Sequence, residues 1–138
     1  MKKIVGIVAI CIVLITAISV FLLRHPHELP EPKYDLSSLQ EVVIKSQDDT
    51  EDSVYCIKDN SYIAYCTLDK DELSCGDAIA YFINDDHFCY FLKIEGLSEN
   101  DWLVLFNDWP NQDAEYTLLK NIDTTQIPKQ IEVVALKK

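Results

Sequence analysis

Glycine is scarce in this chain: its 138 residues hold three, Gly6, Gly76 and Gly96. A phosphate-cradling loop needs glycines at close spacing so that backbone N–H groups can reach the anion, and none can be drawn here. No Cys-x-x-Cys pair occurs, whereas a structural zinc site is built on at least one close pair of ligands. A helical His-Glu zinc motif is missing as well. The acidic stretch Gln47–Asp52 lacks the central glycine and alternating oxygens of a calcium loop, and so reads as a solvated connection. No segment repeats, which leaves one folded unit. Together these absences exclude the common nucleotide, zinc and calcium templates, and they imply neither a metal nor a cofactor.

Basic residues are few, 12 against 23 acids. Two of them, Lys2 and Lys3, precede the one long apolar run, Ile4–Leu23. That run holds no charge, and as a helix its twenty residues span roughly 30 Å, the thickness of a hydrocarbon core. A cleaved signal peptide would carry a shorter apolar core and a small-x-small site beyond it. Here apolar residues continue to Arg24, so the run reads as an uncleaved, single-pass anchor. It divides the chain into a short cytoplasmic tail (1–3), a transmembrane helix (4–23), a proline-rich stalk with room for a short helix (24–40) and a β domain (41–138). The expected location is the cell membrane, with the C-terminal domain outside the cytoplasm.

All the acids fall beyond the anchor with ten of the bases, a balance of −13 over residues 24–138. Such a field repels nucleic-acid backbones and favours a basic protein surface as partner. Four of the five cysteines, Cys56, Cys66, Cys75 and Cys89, also lie beyond the anchor. An even number in a small domain outside the cytoplasm predicts two disulfides. A two-residue turn at Asp85-Asp86 sets Cys89 opposite Phe82, with Cys75 roughly 23 Å further along the strand, too far to bridge. A turn at Asp59-Asn60 sets Cys56 opposite Ile63. The expected pairs are Cys66–Cys75 and Cys56–Cys89.

The remaining pattern is β. Leu36, Leu39 and Val43 could share one helical face, capped by Asp35 or Ser37. After them, short apolar runs recur between turn residues. Val42–Ile44, the hairpins 54–57/62–66 and 78–83/88–92, then 102–106, 116–119 and 131–136 all read as strands. The second hairpin is apolar on both faces and belongs in the middle of the sheet. Seven or eight strands predict a mainly β fold, a small antiparallel barrel or sandwich.

Chemistry-bearing residues are thin. Asp85, Asp86 and His87 carry metal-ligating groups, but the turn explains all three. Trp109, in the polar loop Asn107–Asn111, is either folded back on the core or presented to a partner. With Asp108 and Asp113 it forms the candidate partner-contact set. Gly76-Asp77 followed by an apolar strand, Lys93 on the next strand, and Asn107 with Pro110 after a further one resemble the β-rich core of signal-peptidase-like Ser/Lys peptidases. That resemblance implies a lysine general base whose pKa burial lowers, acting on a serine shortly before the Gly-Asp pair. The family's serine followed by methionine and proline is missing: Cys66-Thr67-Leu68 and Ser74-Cys75 stand upstream, and the only methionine is Met1. The leading expectation is a membrane-anchored, non-catalytic binding domain, of inhibitor or immunity type. The alternative is an inactive or divergent peptidase of that fold.

Overall fold

A computed structural model describes residues 29–46 and 52–138. The anchor Ile4–Leu23, the first part of the stalk (24–28) and most of the acidic connection after Ser46 (47–51) lie outside the described residues. Among those described, no helix is long and apolar enough to cross a membrane.

The fold is mainly β. Strands β1 (Gln40–Glu41), β2 (Val43–Ser46), β3 (Ser53–Ile57), β4 (Asn60–Leu68), β5 (Cys75–Asn84), β6 (His87–Ile94), β7 (Trp102–Asp108) and β8 (Glu115–Asn121) precede one helix, α1 (Lys129–Ala135). They form a single sheet in the order β1-β5-β6-β7-β8-β4-β3-β2. Its two outermost strands are successive in the chain, separated only by Val42. Gln40 and Glu41 pair in parallel with Ala80 and Tyr81, while Val43–Ser46 pair antiparallel with Ser53–Cys56. The Val42 N–H, on the turnover between them, donates to the Tyr81 carbonyl at 2.8 Å. One extended stretch therefore brings both edges together, and the sheet is a nearly closed barrel.

Local chemistry sets the hairpins. Asp85 and Lys58 take left-handed φ of 51° and 54°, as two-residue turns demand. The first keeps the expected register, with Phe82 opposite Cys89. The second turns on Lys58-Asp59, one residue earlier than expected, so Ser61 rather than Ile63 faces Cys56.

Both faces of the central strands are buried. Val42, Ile57, Tyr62, Ala80, Cys89, Phe91, Leu103, Leu105 and Leu119 form one cluster, drawn from strands all around the sheet. The other holds Tyr90, Leu92, Trp102, Val104, Phe106 and Leu118, covered by Tyr34, Leu36 and Leu39, by Leu73, and by Ile131 and Val134 of α1. On this second face Phe88, Tyr90, Phe106 and Tyr116 stack in a row at centroid spacings of 5.1–6.1 Å. Offset stacking of this kind adds to what burial alone contributes. A 3-10 turn at Leu36–Ser38 leads the chain onto the face, with Asp35 as its cap, accepting from the Ser37 N–H at 3.0 Å.

Two expectations are corrected. Residues 131–136 are not a strand: Lys129–Ala135 is helical, and Ile131 and Val134, three apart, are its buried positions. The disulfides are not formed either, for Cys56, Cys66, Cys75 and Cys89 are free thiols. Tyr55 and Ile57 face the Cys89 cluster, so alternation turns Cys56 to the opposite side of β3. Its thiol lies 3.8 Å from the Ser61 hydroxyl. Cys66 and Cys75 do share the other face, but β8, β7 and β6 separate their strands.

Candidate functional site

The register gathers the expected contact residues at one end of the sheet. Asn84 pairs with His87, Phe88 with Asp108, and Asn107 with Glu115. The β5–β6 turn and the β7–β8 loop are therefore neighbours. With the strand ends that flank them they carry Asp85, Asp86, Asp108, Asp113 and Glu115, and segments 84–92 and 107–119 contain no lysine or arginine. Asp85, Asp86, Asp113 and Glu115 are exposed, and Asp108 is half-buried at the end of β7.

Trp109 folds back. Its ring stacks on His87 with centroids 3.8 Å apart and planes at 28°. Only 1% of His87 is exposed; its Nδ1 lies 3.3 Å from an Asp86 carboxylate oxygen and its Nε2 has no hydrogen-bond partner. Among the described residues, no three metal-ligating side chains converge. The indole serves as a cover for the imidazole, and the acids form the exposed part of this end. His87 as the residue beneath Trp109 was not legible, because two turns 22 residues apart meet only through the register of β6 and β7.

The Ser/Lys pair is not assembled. Lys93 and Ser74 line different clefts, one of about 560 Å³ with Lys58, Asp77 and Glu99, the other of about 420 Å³ with Tyr34, Cys75 and Tyr116. The Ser74 hydroxyl donates to Glu95 at 2.7 Å. The Lys93 ammonium reaches Glu99 at 2.6 Å, and that hydrogen bond raises its pKa. A general-base lysine needs the reverse, burial that favours the neutral amine. Gly76 lies beside Lys93, where an added Cβ would meet the Lys93 Cβ at 3.8 Å, ordinary contact distance.

The thiols are muted by their surroundings. Burial pushes Cys89 up to about 12 and also raises Cys66 and Cys75, which disfavours the nucleophilic thiolate.

Fold and site thus define a mainly β, nearly closed barrel-like domain with an acidic end. Comparison with protein families, with curated proteins and with solved structures finds no match for this chain.

Proposed function

We propose that the chain is a membrane-anchored binding protein whose domain, outside the cytoplasm, engages a basic protein through the acidic end of its barrel, as an inhibitor or immunity-type protein would. The observation that carries this reading is the meeting of five acids on two adjacent connections and the strand ends that flank them, without a basic residue in segments 84–92 and 107–119. A net negative charge at the end of the sheet, with Lys33 over Phe106 and Lys45 as the nearby cations, steers a basic surface and accelerates encounter. The half-buried, stacked Trp109 holds the β7–β8 loop in place beneath those charges. Anchoring rests on Ile4–Leu23, and orientation on Lys2 and Lys3 before it. The free thiols lend no support to an outside location.

Photo-crosslinking in cells from position 112, in the exposed β7–β8 loop, tests the reading. The expected adduct is a protein of high isoelectric point. Its association rate with the full-length chain should fall steeply between low and high salt while dissociation changes less. Adducts with acidic proteins only, or a salt-independent rate, would defeat the proposal. Protease added to intact spheroplasts should digest the domain, and protection there would remove the outside location.

A further inference from the structure

The seam where residues 40–46 change partner leaves half-strands with a free side. The β3–β4 turn contains two residues, so Ile57 and Asn60 form the hydrogen-bonded pair that closes it. Alternation then directs the amide groups of Tyr55 and Ser53 toward β4 and those of Cys56 and Val54 toward β2. Opposite these last stand Val43 and Lys45, which accordingly bond to β3. The N–H and C=O of Ile44 and Ser46 point the other way, the direction in which Val42 donates to Tyr81. The same counting from the Asp85-Asp86 turn directs the amide groups of Ile83 to the seam, one step beyond Tyr81. Among the described residues no strand meets Ile44, Ser46 or Ile83 on that side, since β1 stops at Glu41 and β2 ends the sheet.

Three apolar side chains along this open seam are exposed, Val43 by 60%, Ile44 by 42% and Ile83 by 44%, beside the exposed polar Lys45, Ser46 and Asn84. Around them stand the exposed acids Glu41, Asp52, Asp85 and Asp86, against the single cation Lys45. An unpaired edge with apolar side chains is a template for strand addition. The charge decides what is added. A second copy would bring the same acids and a balance of −13 to meet them. We infer that the free edge of β2 takes an extended basic segment of another protein, alternating apolar residues with lysine or arginine, which bonds to the backbone of Ile44 and Ser46. This inference rests on the basic-partner reading above and names how that partner is held.

The test uses the full-length chain and a fluorescein-labelled hexapeptide of alternating valine and lysine, followed by anisotropy. Saturable binding is expected, weakened by about tenfold or more when the lysines are replaced by glutamate or when alternate peptide amides are N-methylated, the loss equivalent to one good hydrogen bond. Ile44→Pro removes an outward N–H together with the exposed isoleucine side chain and should weaken binding at least as much while leaving the β3 pairing in place. Should that variant fail to fold, the N-methylated peptide on the natural chain still decides. Equal affinity for the N-methylated or glutamate peptide, or no binding at all, overturns the inference. A dimer in sedimentation that Ile44→Pro dissociates would assign the edge to a second copy and overturn it too. A chain that ignores the peptide yet crosslinks to a basic protein in the salt-sensitive way loses this inference alone.

Discussion

Cys89 illustrates how far one residue's surroundings can reverse a reading of its type. Four cysteines in a small domain suggest bridges, yet this thiol is fully buried among Phe91, Leu105 and Ala80 and its pKa is pushed up to about 12. It behaves as a small apolar core residue. N-ethylmaleimide at pH 8 should therefore leave Cys89 unmodified in the native chain and label it fully in guanidinium, read by peptide mass spectrometry. Native labelling of Cys89 as fast as that of Cys56, or its recovery in a disulfide-linked peptide, would contradict the packing. Glu99 carries a second residue-scale consequence. The Lys93 hydrogen bond holds its carboxyl below the usual carboxylate range, with Lys58 adding a weaker attraction at 3.8 Å. A depressed folded pKa stabilises the fold above the unfolded value, about 4.3, and that contribution disappears as pH falls through the folded value. The Glu99→Gln variant should thus lose less melting temperature than the natural chain between pH 6 and pH 3. An identical acid slope in both would show that the pair contributes nothing to folding.

At the scale of elements, α1 carries the clearest energetic expectation. Ile131 is fully buried and Val134 nearly so, and both join the cluster that contains Trp102 and Leu118. Ile131→Ala should cost about 2–5 kcal/mol, the range for emptying a buried aliphatic site, whereas Val133→Ala, on the 48% exposed side, should cost far less. Chemical denaturation of both variants checks this, and equal losses would deny the helix its orientation. The sequence misleads at this element because Ile131, Val133 and Val134 are β-branched and Ile131-Glu132-Val133 alternates like a strand. The signal that could have found the helix is the three-residue spacing of Ile131 and Val134 directly after Pro128, which stands at the helix N-cap. The hairpins were legible because their turn residues and apolar runs agree with one another. Even so, Lys58 rather than Asn60 takes the left-handed turn position, and that one-residue slip moves the partner of Cys56. A barrel was one of the two architectures the strand count allowed, but the way it closes was not legible. Nothing in Gln40–Ser46 distinguishes one strand from two half-strands, and their partners are fixed by the curvature of the whole sheet.

Closure is also what binds the molecule into one unit. Val42 is buried on the interior cluster, and its N–H is the last bond joining the β1 side to β5 before the stretch passes to β3. The register requires protection against hydrogen exchange to alternate along this short stretch. The amides of Val43 and Lys45 face β3 and that of Val42 faces Tyr81, so all three should be strongly protected. Those of Ile44 and Ser46 face the open seam and should exchange near the rate of an unstructured peptide, since no strand covers them. Proline substitution extends the contrast to stability. Val42→Pro removes a bonded, buried donor and should unfasten the barrel, lowering the denaturation midpoint by an amount comparable to a core deletion. Ile44→Pro, two residues on, removes a donor that has no strand partner and should be nearly silent. Protection at Ile44 equal to that at Val43, or equal damage from the two prolines, would mean that the barrel is closed along its full length and that the seam does not exist.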